Sequence, residues 1–196
     1  MAIKLVFGEV RFSYVHVWEP ESINGSDEKK YSVSILISKK DKAIVEQVKK
    51  AINEAIKEGL SRLGGKVPPN MKMPLRDGDE ERPDDEDYAG CYFLNANCKT
   101  KPGIIDRRKQ PIEDTTEFYS GCYGYASVSF YAFNTSGNKG IACGLNNLMK
   151  TRDGENLGGR AKAEDDFKDI EIDDDDEYSD FDGFEKIDDD DTGLPF

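Results

Sequence analysis

The sequence has few of the residues on which metal centres, disulfide frameworks and membrane spans are built. It contains one histidine and four cysteines, and the cysteines lie at wide, irregular spacings with no C-x-x-C pair. A zinc ribbon or a disulfide framework is therefore not indicated, and we expect reduced, mostly buried thiols. No apolar run approaches the ~18 residues that a membrane span requires, and charge interrupts residues 1–7 too early for a signal peptide. These absences favour a soluble, cytoplasmic protein with no membrane partner.

The sequence also lacks a recognisable catalytic or cofactor motif. His16 stands in the first apolar run, with no nucleophile or carboxylate at a recognisable spacing. Gly64-Gly65-Lys66 lacks the frame of a P-loop and closes a predicted helix instead of opening one. The acidic run at residues 188–191 has neither EF-hand spacing nor a glycine at the turn position. We therefore expect a non-catalytic protein with no metal and no cofactor.

Acidic residues are concentrated in two stretches of the chain. The 196 residues include 40 Asp and Glu against 27 Lys and Arg, a formal net charge of −13. Residues 164–196 hold 17 acids and two basic residues, and residues 77–87 hold eight acids and one arginine. The rest of the chain has 24 basic against 15 acidic residues, a charge of +9. Because a run of like charge cannot pack against itself, we predict a disordered acidic tail at 164–196 and a folded domain at 1–163 that is basic outside its acidic stretch.

Hydrophobic periodicity predicts a mainly β domain with one long amphipathic helix. Six segments have strand character: residues 3–18, 31–37, 91–99, 103–106, 121–133 and 139–148. Residues 3–18 form either one long strand or two short ones, and residues 134–138 are a hairpin turn. The helix ends at Gly64-Gly65, and a long loop is predicted over residues 66–88. A small antiparallel β-barrel is the architecture that most economically removes the exposed edges of such strands.

Aromatic and basic side chains are interleaved along the predicted strands and their loops. Single-stranded nucleic acid is bound by Lys and Arg along its backbone and by aromatic rings that stack on bases, each stack contributing about 1–3 kcal/mol. The candidate nucleic-acid-binding residues are Trp18, Lys29, Lys30, Tyr31, Tyr92, Lys99, Lys101, Arg107, Arg108, Lys109 and Tyr125. The alternative is that these rings belong to the core and the cations to a solvated surface. We interpret the set as an interface for single-stranded nucleic acid, with RNA left open beside DNA.

Two parts of the sequence resemble phage-encoded single-stranded DNA-binding proteins with an OB-fold. The first is a predicted hairpin with GYASVSFY at residues 124–131, KGIA at 139–142 and GLNN at 144–147. The second is the acidic end of the chain, which closes in a small apolar tip. Its residues are Asp188, Asp189, Asp190, Asp191, Leu194, Pro195 and Phe196. The resemblance implies an OB-fold-like barrel that binds single-stranded DNA, and a tail tip that recruits replication or recombination proteins.

The position of the predicted helix departs from the usual OB-fold order. That order places a helix between the third and fourth strands, whereas this helix follows the second strand-like run. Either residues 3–18 contain two strands, or the barrel is decorated differently.

Three functional hypotheses follow from these patterns. The first is a non-catalytic, sequence-tolerant single-stranded DNA-binding protein of phage replication or recombination, whose acidic tail competes with DNA for a basic groove. The second is an acidic interaction protein or DNA mimic that binds a basic protein partner; it explains the net charge of −13 but not the +9. The third is a carboxylate-dependent nuclease that uses Asp106, Glu113 and Asp114. A homodimer is left open in each case.

Overall fold

The computed structural model describes residues 2–23 and 25–157. The predicted acidic tail and the predicted domain boundary at residue 163 lie outside these residues. In chain order the described elements are β1 (Ile3–Ser22), β2 (Lys29–Ser38), α1 (Lys42–Glu58), α2 (Leu60–Leu63), β3 (Leu75–Asp77), α3 (Gly78–Glu81), a 3-10 helix (Glu86–Tyr88), β4 (Cys91–Cys98), β5 (Gly103–Ile105), β6 (Tyr123–Thr135) and β7 (Asn138–Arg152). In this part of the chain no helix is long and apolar enough to cross a membrane.

Five strands close into an OB-fold-like barrel, which confirms the predicted fold class. β1 pairs with β2 and β6, β2 pairs with β4, and β6 pairs with β7, all in antiparallel fashion. A parallel contact between Asn97 of β4 and Gly144 of β7 closes the ring. One junction has to be parallel because five strands cannot alternate in direction around a closed ring. Outside the ring, β3 pairs with β4 in antiparallel fashion and β5 pairs with β7 in parallel fashion.

The barrel interior is filled by the inward-facing residues of its strands. Phe12 of β1, Ile35 of β2 and Leu94 of β4 are all fully buried in one hydrophobic core. Helix α1 closes this core from one side through Val48 and Ile52. Burial of one such side chain stabilises the fold by about 1.5–3 kcal/mol, so this shared core holds the helix and the barrel together.

The hairpin of β6 and β7 has the geometry that the sequence predicts. Along β6, Val128 and Phe130 face the core, whereas Tyr125 and Tyr131 face outward. The turn has positive φ angles at Ser136 (51°) and Gly137 (83°). Such a two-residue turn matches the twist of the paired strands, and glycine adopts its backbone conformation without steric cost.

The long helix lies between the second and third barrel strands, because residues 3–18 belong to one strand. That strand, β1, continues to Ser22, so the barrel is decorated differently from the usual OB order. The predicted helix is interrupted at Gly59, where a Cβ atom would collide with that of Ala132 on β6. After this break α2 ends at Gly64 (φ 96°), in the left-handed conformation that glycine favours.

Residues 75–88 are structured, so the prediction of a long irregular loop over residues 66–88 is wrong for this part. β3 pairs with β4, and α3 and the 3-10 helix follow. Tyr88 is fully buried against Leu36 and Phe93, and its hydroxyl donates to Ser34 Oγ at 2.8 Å. Lys39 Nζ binds the carboxylates of Asp77 (2.6 Å) and Asp79 (2.7 Å). A single buried ring and these ion pairs fix a stretch whose composition looks disordered.

Candidate nucleic-acid interface

Six of the predicted site residues lie at one end of the barrel, around the connection from β1 to β2 and just after the last residue of β4. We call this group the loop-end cluster; it consists of Trp18, Lys29, Lys30, Tyr31, Lys99 and Lys101. Lys101 Nζ lies 5.2 Å from the centre of the Trp18 ring, and Trp18 Nε1 donates to the carbonyl oxygen of Phe118 at 2.9 Å. The indole is thus held in place with a cation on its face.

Glu28 partly neutralises the loop-end cluster. Its carboxylate lies 2.5 Å from Lys99 Nζ and 3.4 Å from Lys30 Nζ. Hydrogen bonds from Lys99 and then Lys30 lower the pKa of Glu28 below its ordinary value. Because Glu28 and Lys99 are exposed and Lys30 is only half-buried, these ion pairs hold the lysines weakly and a polyanion can exchange for Glu28.

A second group, which we call the arginine cluster, forms where β1, β6 and β7 meet the turn after β5. It consists of Arg11, Arg107, Arg108, Tyr123, Lys150 and Arg152. Arg107, Arg108, Lys150 and Arg152 line one open groove. The guanidinium carbons of Arg152 and Arg11 lie 3.6 Å and 5.4 Å from the centre of the Tyr123 ring. This is the pairing of cations with an aromatic ring that single-stranded nucleic acid recognition uses.

Carboxylates orient part of the arginine cluster. Glu9 accepts hydrogen bonds from Thr151 Oγ1 and from Arg152 Nε, each at 2.6 Å. These bonds, that from Thr151 first, lower the pKa of Glu9 below its ordinary value. Lys150 Nζ lies 2.6 Å from Asp153. Among the ion pairs of the described residues none involves Arg107 or Arg108, and both side chains are exposed, so their charge faces the groove.

The other candidate residues are placed differently. Tyr125 is 40% exposed on the same face of β6 as Tyr123, beside Gly8. Lys109 follows Arg108 in the turn, with φ of 62°. Tyr92 is half-buried against the core, and Lys39 and Lys49 lie over its ring at 5.2 Å and 5.4 Å, so it joins neither cluster. The tail-tip residues from Asp188 to Phe196 lie outside the described residues.

Sequence reasoning missed four members of the arginine cluster: Arg11, Tyr123, Lys150 and Arg152. Arg11 and Tyr123 are paired across β1 and β6, and Tyr123 and Arg152 across β6 and β7. The only available signal was that each is a polar or aromatic residue on an outward-facing strand position. Their proximity depends on strand register, which cannot be read from the sequence.

The outside of β1, β2 and β4 forms a surface of mainly polar residues, on which Ser13 and Ser34 are buried and Ser34 accepts from the Tyr88 hydroxyl. Two rows of paired residues run across it, Ser13–Ser34–Asn95 and His16–Ser32–Asn97. OB-folds bind oligonucleotides on the face of their second and third strands, which are β2 and β4 in this barrel. We call this surface the outer face.

The chain after β7 returns to the outer face. Arg11 Nη2 donates to the carbonyl oxygen of Glu155 at 2.8 Å, and the Leu157 amide donates to that of Ser120 at 2.8 Å. The Leu157 side chain packs against the buried cluster of Leu36, Tyr88 and Phe93. Leu157, the last described residue, therefore lies against the outer face.

The carboxylates of the nuclease hypothesis have local structural partners. Asp106 Oδ1 accepts the backbone amides of Arg108 (2.8 Å) and Gln110 (2.9 Å). Asp114 Oδ1 accepts the amide and the hydroxyl of Thr116 at 2.8 Å and 2.6 Å. Over residues 2–23 and 25–157, no three or more His, Cys, Asp and Glu side chains are grouped so as to hold a metal ion. These two aspartates stabilise turns.

The chain matches known proteins over most of its length. A family model described as "Enterobacter phage Enc34, ssDNA-binding protein" matches residues 3–179. Protein p50 of Acyrthosiphon pisum secondary endosymbiont phage 1 is 30% identical over 178 residues, which cover 87% of this chain and 95% of that protein.

Solved structures show the same architecture. The single-stranded DNA-binding protein from bacteriophage Enc34, in complex with ssDNA, superposes with a TM-score of 0.70 at 25% identity, covering 80% of this chain and 90% of that chain. Gp2.5, a single-stranded DNA binding protein encoded by bacteriophage T7, shares the fold with a TM-score of 0.56 at 18% identity, covering 91% and 99%. On the extent of the family match and of the sequence identity, this chain belongs to the family of the Enterobacter phage Enc34 ssDNA-binding protein.

Proposed function

We propose that this protein binds single-stranded DNA without catalysis and without strong sequence preference, in phage DNA replication or recombination. The observation that carries the proposal is the arginine cluster, in which Arg107 and Arg108 are exposed and two guanidinium groups lie over the Tyr123 ring. Family membership supports single-stranded DNA as the ligand. Cations track the phosphates and rings stack on the bases, and neither contact depends strongly on sequence.

The DNA path that we propose crosses the outer face and joins the arginine cluster to the loop-end cluster. β1 connects the two, since Arg11 and Trp18 are seven positions apart on this one strand. At about 3.3 Å per residue this spacing is roughly 23 Å, a few nucleotides of extended strand. Lys30 and Lys99 would exchange Glu28 for phosphate at one end, and Arg107 and Arg108 would bind phosphate at the other.

The binding test is fluorescence anisotropy of a labelled oligothymidine, measured on the full chain and on residues 1–163, with and without Mg²⁺. We expect tight binding at low salt that weakens as salt rises, with a slope of roughly −0.7 in log affinity per phosphate neutralised. Emission of Trp18, the single tryptophan, should fall when a base or phosphate displaces Lys101 from its ring. Absence of binding by residues 1–163 at low salt would exclude the proposal and favour the alternative, an acidic interaction protein or DNA mimic that binds a basic protein partner. Mg²⁺-dependent cleavage would revive the nuclease hypothesis.

We further propose that the acidic tail competes with DNA. The supporting observation is that the backbone of Glu155 binds Arg11 and that Leu157 packs on the outer face, along the proposed DNA path. If residues 164–196 form the coil that their composition predicts, their root-mean-square reach is about 30 Å, which gives an effective concentration near the millimolar range. Deletion of these residues should raise affinity for oligothymidine at low salt. Equal affinities of the two chains would contradict competition.

The tip of the tail is proposed to recruit replication or recombination proteins once DNA has released it. Leu194, Pro195 and Phe196 would supply the apolar contact, and the acids at 188–191 would supply attraction to a basic pocket. The test is binding of the full chain to the phage polymerase, helicase or recombinase, compared with a chain that lacks the last three residues. Unchanged binding by the shortened chain would exclude the tip as the recruiting element.

A further inference from the structure

β1 contains a bulge that brings an extra side chain to the outer face. Ser13 pairs with Ser34 and His16 pairs with Ser32, so Tyr14 and Val15 together oppose a single residue of β2. Val15 packs on the core, whereas Tyr14 lies next to Tyr88, with ring centres 6.3 Å apart. Bulges turn a side chain away from the alternating pattern, and here the exposed Tyr14 ring lies on the outer side of the sheet next to Ser13, which is buried.

Tyr14 adopts a backbone conformation that is energetically unfavourable for a bulky side chain. Its φ is 45°, in the left-handed region that a bulky side chain rarely occupies and that glycine or asparagine adopts more readily. The ring is nevertheless 50% exposed, so burial of the ring in the core does not compensate this cost. A strained residue whose side chain is open to solvent points to a role in binding.

A cation from the acidic stretch lies over this ring. Arg82 is the single basic residue among positions 77–87, which hold eight acids. Its guanidinium carbon lies 5.1 Å from the ring centre of Tyr14, 4.7 Å from that of Tyr88 and 5.5 Å from that of Phe93. None of the ion pairs within the described residues includes Arg82. The acidic stretch therefore presents its one cation to the outer face.

We propose that Tyr14 and Arg82 form a base-stacking site for single-stranded DNA on the outer face. A nucleobase stacks on the open side of the Tyr14 ring, and Arg82 fixes the ring and offers its charge to the adjoining phosphate. Exposed Asn95, in the row of Ser13 and Ser34, lies on the same face and can hydrogen-bond to a base edge. This inference rests on the proposed function and adds to it a stacking residue on the outer face.

The Tyr14→Gly substitution separates binding from folding, because glycine removes the ring and also relieves the left-handed strain. Affinity for labelled oligothymidine is measured over a range of salt, together with the melting temperature. We expect a loss of about 5- to 150-fold in affinity, the range for one base stack, with the salt slope unchanged because no charge is removed. The matched control is Tyr131→Ala, which removes an exposed ring near Ala2 and Arg62, away from the outer face. The control should bind within about threefold of the wild type.

A second variant reports on the site with a ring still in place. Tyr14→Trp in a Trp18→Phe background places the single tryptophan at position 14, and we expect oligothymidine to quench its emission strongly. Wild-type affinity in Tyr14→Gly, or no quenching of the tryptophan at position 14 while anisotropy reports binding, overturns the stacking site. Failure of the wild-type chain itself to bind oligothymidine would instead overturn the proposed function. If Tyr14→Gly does not fold, the quenching measurement alone decides.

Discussion

The guanidinium carbon of Arg152 lies 3.6 Å from the centre of the Tyr123 ring, and the two residues are directly paired across β6 and β7. The guanidinium carbon of Arg11, from β1, lies 5.4 Å from the centre of the same ring. Because these residues come from three strands of the barrel, the cluster has the rigidity of the sheet. A site of this kind needs little ordering of side chains when it binds, which favours affinity.

Arg107 and Arg108 should supply most of the salt dependence that comes from the arginine cluster. Replacement of both by glutamine removes two exposed charges, so the salt slope should decrease by roughly 1.4 and affinity at low salt should fall. The measurement is oligothymidine anisotropy over a series of salt concentrations. The double variant Lys42→Gln, Lys57→Gln on the exposed side of α1 removes the same charge and should leave the slope nearly unchanged. Equal effects of the two double variants would indicate a general charge effect and no local site.

Glu9→Gln should increase affinity for single-stranded DNA. The substitution removes the carboxylate that accepts from Arg152 and leaves that guanidinium free for phosphate. The salt slope should grow by roughly 0.7 if one more phosphate is neutralised. Glu54→Gln on the exposed side of α1 is the control for the change in net charge. A decrease in affinity would show instead that Glu9 serves mainly to orient Arg152.

The effect of Glu9→Gln on affinity should depend on pH in a defined way. Since hydrogen bonds from Thr151 and Arg152 keep the pKa of Glu9 below its ordinary value of 4.5, the carboxylate stays ionised above that pH. The affinity difference between wild type and Glu9→Gln should therefore be constant from about pH 8 to about pH 5, and should disappear as the pH falls through the lowered pKa. Titration by anisotropy checks this, and a difference that changes near neutral pH would contradict it.

Tyr88→Phe should destabilise the fold by about 1 kcal/mol, the usual effect of one lost hydrogen bond. The hydroxyl donates to Ser34 Oγ in a fully buried position, and phenylalanine leaves that oxygen without its donor. Urea denaturation measures the loss, with Tyr131→Phe on the exposed side of β6 as the control. Limited proteolysis should also cut residues 78–87 faster in the variant. Wild-type stability and wild-type cleavage would mean that Tyr88 does not anchor this stretch.

Gly59→Ala should destabilise the protein although alanine favours helices by about 1 kcal/mol. The added methyl group meets Ala132, and overpacking of this kind costs about 1–3 kcal/mol. Ala132→Gly in the same chain should recover part of the loss, which thermal or urea denaturation can measure. If the second substitution recovers nothing, the close approach of the helix break to β6 is not the cause.

Local sequence patterns were sufficient for most of the fold. Alternation along β6 identified which residues face the core, and helical spacing located α1. The break at Gly59 was not predictable, because its cause is contact with Ala132, which is 73 positions away in the chain. Residues 75–88 were assigned to a loop because their charge hides the few residues that anchor them, Tyr88 above all.

The candidate site could be predicted only in part. Trp18, Lys30 and Lys99 were identified as candidates because cations and aromatic rings cluster locally near strand ends, and the structure brings them together. Tyr92 was chosen on the same grounds but is half-buried against the core. Tyr14 could not be identified, since its exposure results from a change in register between β1 and β2.

The sequence by itself determined the separation of charge along the chain, the strand and helix periods, and the hairpin and acidic tip that resemble phage single-stranded DNA-binding proteins. These features depend on residues close together in the chain, so they can be read without knowing the fold. The tertiary structure decided which side chains share a surface. Arg11, Tyr123 and Arg152 meet only because the barrel places β6 between β1 and β7, and Arg82 reaches Tyr14 only because Tyr88 anchors the acidic stretch to the outer face. Strand pairing and buried contacts between distant residues set these positions, and no local pattern encodes them.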